Sequence, residues 1–216
     1  MSGTDELIQR LSGELQPVKR LAPPLWRAAR LIIGATILIA VLVTIRGLRE
    51  DFAKMSADPA YWVQLSSAWV MGATATLAAL NISLPDRSRF WMLLPLPVAC
   101  LWATGFVYGC LGDWVDVPFG APIMHDSASC LLTITLTGVP LALALWMMLR
   151  RAKPLDAKGT AWMGGIAIAG FADTAHLLIN MVEASLLILI INMTPATIIV
   201  LLLGMVGRRR LGAVGG

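Results

Sequence analysis

Residues 90–112 read FWMLLPLPVACLWATGFVYGCLG and residues 131–149 read LLTITLTGVPLALALWMML, and neither stretch holds a charged residue. At about 1.5 Å of rise per residue, each is long enough as a helix to cross roughly 30 Å of hydrocarbon. Between them lie Asp113, Trp114, Asp116, Pro118, Gly120, Pro122, His125 and Asp126, too polar and too rich in turn formers to continue either helix. The pair therefore reads as a membrane hairpin. Cys110 closes its first arm and Cys130 opens its second, which puts both thiols at one membrane face.

Working outward, the same pattern repeats. Of the 216 residues, 57% are hydrophobic and only 14% charged, against about a quarter charged in soluble domains. Six spans are expected, near residues 25–48, 60–84, 90–111, 130–149, 159–182 and 184–207. The fold class is an all-α membrane protein with six transmembrane helices and both termini on one side. Residues 1–24 form a tail, 25–207 the membrane domain and 208–216 a basic C-terminus. No small-residue cleavage pattern follows Ile45, so a removable signal peptide is not expected. Arg27, Arg30 and Arg46 extend the first span by snorkelling.

Charge fixes the expected orientation. Fourteen Lys and Arg residues fall on the tail, the second and fourth loops and the C-terminus, and three on the first, third and fifth loops. The positive-inside rule then places both termini in the cytoplasm and the Cys110 to Cys130 loop outside. The sequence pI near 9.3 is explained by these flanking cations, and direct nucleic-acid binding is not expected.

The tail is the one segment suited to a soluble partner. Ser2 or Thr4 can cap a helix whose first turn carries Asp5 and Glu6, with Leu7, Ile8, Leu11 and Leu15 on one face and Pro17 as its limit. Its charges cancel, so a protein groove suits this stripe better than anionic lipid does; the other reading is a helix lying on the protein's own membrane face.

Inside the fifth span, Asp173, His176, Asn180 and Glu183 follow one another at helical spacing and share a face. An isolated charge at mid-bilayer costs about 2.5–3.5 kcal/mol on insertion scales, so this face points into the bundle. Asp173 and His176 are expected to pair, with Asn192 and Thr194 of the sixth span opposite. The stripe serves either as a polar packing seam or as a proton- or ligand-responsive one. Pro140 and Pro195 interrupt spans four and six and are expected to kink them. Cys100, mid-span, is expected to be a core residue. For Cys110 and Cys130 a disulfide, capture of a soft metal and inert packing all stay open. No nucleophile with a base, phosphate loop, paired carboxylates, metal-ligand spacing or cofactor motif is present, and no enzyme activity is expected.

These features in their order resemble a known family. Asp5-Glu6-Leu7-Ile8-x-x-Leu11 is followed by Pro17-Val18-x-Arg20-Leu21-x-Pro23-Pro24, by Tyr108-Gly109-Cys110-Leu111-Gly112-Asp113-Trp114, by Cys130 and Pro140, and by Leu149-Arg150-Arg151-x-x-Pro154-Leu155. Over nearly the whole chain this resembles the NrsF family of bacterial membrane anti-sigma factors. The resemblance implies an extracytoplasmic-function sigma factor as partner, held at the inner membrane and released under oxidative or metal stress. It further implies a binding tail at residues 1–22 and sensing by an outward-facing cysteine. The chain departs from the family pattern where members often carry a cysteine at the outer end of the fifth span, since Asn180, Met181 and Val182 stand there. It departs again in the sixth span, with Ile191 and Asn192 in place of an aromatic residue and a histidine. The alternative classes are a small six-span transporter or channel, which the lack of a continuous polar path disfavours, and a structural subunit of a membrane complex.

Overall fold

A computed structural model describes residues 22–84, 88–104, 127–152 and 157–180, and among them every regular element is helical. Helix α1 (Pro24–Arg46) starts on a proline, whose missing N–H is harmless in a first turn, and ends at Gly47 with φ of 87°. That left-handed residue turns the chain into the first loop, where a short helix α2 (Phe52–Met55) forms. Helix α3 (Pro59–Ile82) is capped by Asp58, whose carboxylate accepts the Ala60 N–H at 2.9 Å. A 3-10 turn (Arg89–Leu93), capped by the Ser88 hydroxyl, leads into α4 at residues 96–104. Helices α5 (Ser127–Ala152) and α6 (Ala157–Ile179) complete the set, with α5 staying helical across Pro140.

Four of these helices, α1, α3, α5 and α6, are long and apolar enough to cross a membrane. Of the expected third span, residues 105–111 lie outside the described residues, and over 90–104 the helix is irregular, a 3-10 segment and a turn preceding the α-helix that starts at residue 96. Pro95 and Pro97 are the reason: each lacks an N–H and clashes with the preceding turn, so both are confined to the helix start, where the Ala99 N–H reaches the Pro95 carbonyl at 2.8 Å. The expected sixth span and tail lie outside the described residues.

The centre of the bundle is the α3–α6 pair, built from small residues. A methyl group added at Gly170 would lie 2.7 Å from the Ala68 carbonyl oxygen and 2.7 Å from the Gly72 nitrogen. Backbone thus meets backbone with no room for a side chain, as in helix pairs that associate without a hydrophobic driving force. Phe171 then packs over Gly72, and Trp69 meets its ring edge to face at 6.5 Å. Thr76 and Thr174 donate to the carbonyls of Gly72 and Gly170, both at 2.8 Å, so neither buried hydroxyl needs a partner across the seam.

Around this pair, α1 contributes Ala28, Leu31, Ala35 and Ile39, and α5 contributes Leu141, Ala142 and Leu145. The opposite faces are apolar too: Leu25, Ile33, Ile37, Val41 and Ile45 on α1, and Leu132, Leu136, Val139, Leu143 and Met147 on α5, are exposed. Such continuous outward apolar stripes are what a lipid solvent covers and what a water-soluble bundle avoids. Arg27 does not snorkel as expected. It is buried, and its guanidinium donates to the Met148 carbonyl in the last turns of α5, where helix carbonyls attract a cation.

Candidate functional site

At the end of the bundle that holds the first loop, α6 runs to Ile179, and the last carbonyls of a helix call for partners from outside it. The first loop supplies them. The Arg49 N–H donates to the Leu178 carbonyl at 3.1 Å, and its guanidinium reaches the Leu177 carbonyl at 3.4 Å, where the Tyr61 hydroxyl also donates, at 3.1 Å. Arg49 is itself braced by a two-point contact with the Asp51 carboxylate and lies 5.9 Å from the centre of the Tyr61 ring. The hydrogen bond from Arg49 holds the Asp51 carboxyl below the usual range for its type. Phe52, Tyr61 and Trp62 form a set of edge-to-face rings beside it. A cation and a phenol from one end of the chain thereby cap a helix some 120 residues later in sequence.

The polar face of α6 begins at this same end, at Asn180, and runs back into the bundle through His176 to Asp173. Asp173, His176 and Asn180 are all buried, at 7%, 4% and 3% exposure, so the expectation that this face points inward is met for these three. Their partners differ from those expected. Asp173 does not pair with His176; its Oδ2 accepts the indole N–H of Trp102, on α4, at 2.7 Å. The Asn180 amide nitrogen lies 2.8 Å from His176 Nδ1, and an amide nitrogen can only donate, so this contact requires Nδ1 to be the bare ring nitrogen. Thr133 of α5 reaches the Asn180 oxygen at 3.5 Å, a long contact. Residues three and four apart on a helix share a face, yet Asp173 and Asn180 find partners on different helices, Trp102 on α4 and Thr133 on α5, while His176 meets Asn180.

Sequence reasoning missed Arg49, Tyr61 and Trp102. Arg49 and Tyr61 carried one signal, a cation and an aromatic flanking span ends, but flanking residues are read first as topology markers. Trp102 had none beyond lying in an apolar run. Cys100 is a correction of another kind: it was expected in the core, and it is exposed on α4, because the core-facing side of that helix is taken by other positions. Cys130 lies in the first turn of α5. Cys110, Glu183, Asn192, Thr194, Pro195 and the tail residues Leu7, Ile8, Leu11 and Leu15 lie outside the described residues. Among the described residues no group of three His, Cys, Asp or Glu side chains is placed to hold a metal ion.

Apolar outward faces and a buried polar stripe, with no assembled catalytic group among the described residues, call for a family before a chemistry, and residues 11–212 match the family described as NrsF, negative regulator of sigma F. The chain belongs to the NrsF family. No curated protein and no solved structure matches it. The family's description assigns negative regulation, with a sigma factor as the class of partner. The matched range takes in the polar face of α6, Cys110, Cys130, Leu11 and Leu15, while Leu7 and Ile8 precede it.

Proposed function

We propose that this protein is a membrane-embedded anti-sigma factor that sequesters an extracytoplasmic-function sigma factor through its N-terminal tail. Release follows oxidative or metal stress sensed outside the cytoplasmic membrane. The observation that carries the proposal is the family match over nearly the whole chain, joined to four helices with the length and apolar surface of membrane spans. Six spans, with the tail and the basic C-terminus cytoplasmic, follow from the charge asymmetry of the loops.

Residues 1–24 are the part of the chain offered to the partner. Burying each of Leu7, Ile8, Leu11 and Leu15 in a groove contributes roughly 1.5–3 kcal/mol, against about 2–5 kcal/mol for ordering the segment on binding. The balance leaves useful affinity. On the other side of the membrane, a bond between Cys110 and Cys130 would close a loop of about 20 residues and constrain it by roughly 3 kcal/mol in the chain-entropy model. That energy is enough to bias a bundle with two arrangements.

Affinity purification of the full chain from membranes, with the bound protein identified, tests the proposal. A sigma factor should co-purify with the wild-type chain and be lost from Leu11→Asp, whose membrane level should be unchanged while sigma-dependent transcription rises. Capture that survives deletion of residues 2–16 would remove the tail from the binding site.

A further inference from the structure

Helix α4 is set apart from α1, α3, α5 and α6, each of which buries several residues. It follows a 3-10 turn and the buried Pro95, and not one of residues 96–104 is buried. Over these residues packing therefore contributes little to its position. Trp102 nonetheless reaches across to α6 and donates its indole N–H to Asp173, a carboxylate only 7% exposed. An indole nitrogen can only donate and a carboxylate accepts strongly, so the two are matched. If α4 moves away, Asp173 loses its hydrogen bond in apolar surroundings, where an unsatisfied carboxylate is far costlier than in water. Residues 96–104, none of them buried, are thus joined to α6 by a contact that is costly to break. Along the chain, Trp102 precedes Cys110 by eight residues within a single uncharged run.

We propose that α4 is an arm hinged at Pro95 and latched to α6 by the Trp102–Asp173 hydrogen bond, and that opening this latch is the step by which a change at the Cys110 to Cys130 loop loosens the tail's hold on the sigma factor. Trp102 is a positioning residue in this scheme, and Asp173 is its anchor. The link to sigma release rests on the function proposed above; the latch itself does not.

Two measurements test it on the full chain. Spin labels attached through unnatural amino acids at Thr104 and Ile179, which leave the native cysteines in place, report the distance between the ends of α4 and α6 in lipid nanodiscs. A sigma-dependent reporter in cells reports release. Trp102→Phe keeps a ring and removes the donor; it should lengthen and broaden the distance distribution and raise basal reporter activity roughly tenfold, the scale of losing one hydrogen bond to a buried charged acceptor. Asp173→Asn keeps an oxygen for the indole and should leave both readouts near wild type. The double variant Trp102→Phe with Asp173→Leu removes donor and acceptor together, so it leaves no unsatisfied buried group and should still open the arm. Unchanged distances in both Trp102→Phe and the double variant would overturn the latch. Shifted distances with a silent reporter, in a strain where Leu11→Asp still induces, would overturn its part in signalling. A reporter silent to Leu11→Asp as well would instead count against the anti-sigma reading, and the distances alone would then decide the latch.

Discussion

The α3–α6 pair and the α4 arm are held by opposite means. Between α3 and α6 the backbones touch at Gly72 and Gly170, the hydroxyls of Thr76 and Thr174 are satisfied within their own helices, and a side chain, that of Tyr61, crosses by hydrogen bond only at the end of the pair. Helix α4 buries none of residues 96–104, and from it one long side chain, that of Trp102, reaches the buried Asp173 carboxylate. Close backbone packing has no second arrangement of similar energy, because any slide brings atoms into overlap. A hydrogen bond has two states, made and unmade. The difference locates rigidity in the first pair and the capacity to switch in the second.

The largest expected effect comes from attacking the rigid side. In Gly170→Ala the new methyl would meet the Ala68 carbonyl and the Gly72 backbone, neither of which can turn aside, so the helices must separate. Overpacking of this kind costs about 1–3 kcal/mol or more. Gly164→Ala is the matched control: its methyl also falls 2.7 Å from an atom, but that atom is Cδ2 of Leu145, the free end of a side chain able to change rotamer. Thermal unfolding in detergent should show Gly170→Ala clearly destabilised and Gly164→Ala much less so. Equal losses would mean that the α3–α6 seam is not held by backbone contact.

A smaller effect is expected at the cap that joins the first loop to α6. Arg49→Ala keeps the backbone bond to Leu178 but removes the guanidinium from Leu177, whose carbonyl retains the Tyr61 hydroxyl. Because the acceptor keeps one partner, the loss should be near 1 kcal/mol, the net value of one hydrogen bond, and less than that of Gly170→Ala. The ion pair adds a pH signature. The Asp51 carboxyl titrates below its ordinary range when folded, so its contribution is complete above that range and fades as pH falls through the folded value. The stability difference between wild type and Asp51→Asn should accordingly be flat near neutrality and shrink in acid. A difference that grew in acid would contradict the pairing.

How much of this was legible beforehand follows from the kind of signal each feature leaves. Runs without charge gave four of the expected spans to within about three residues at each end, since a lipid-crossing helix must be long and apolar. Helical spacing gave the inward face of Asp173, His176 and Asn180, because a period of 3.6 residues groups them wherever the helix sits. Partners were not legible. Asp173 and His176 lie three apart and share a face, and proximity on one helix suggests pairing, whereas Trp102 arrives from 71 residues earlier. Arg27 and Arg49 looked like flanking cations and are instead caps on the ends of distant helices. A residue's role at a span end depends on which helix terminates beside it, and that is a property of the assembled bundle.

The smallest expected effect concerns Cys100, the exposed thiol on the arm itself. It extends the comparison, since the same helix carries a residue that should matter, Trp102, two positions before the described helix ends at 104. Trp102 is half-buried and hydrogen-bonded, while Cys100 faces outward, where a substitution away from any packed or bonded feature usually changes stability by no more than about 0.5 kcal/mol. Cys100→Ala should therefore leave membrane level, basal reporter activity and induction by oxidant all close to wild type. Cys110→Ser and Cys130→Ser are the counterparts on the proposed sensing loop, and there induction should be lost while the basal level holds. Measuring all three in one strain background separates the two ways a thiol on this arm can act. If Cys100→Ala alone abolishes induction, sensing begins within the arm rather than at the loop beyond it, and the path from signal to latch is shorter than proposed. If all three variants induce normally, no thiol is the sensor, and the latch answers to a different input.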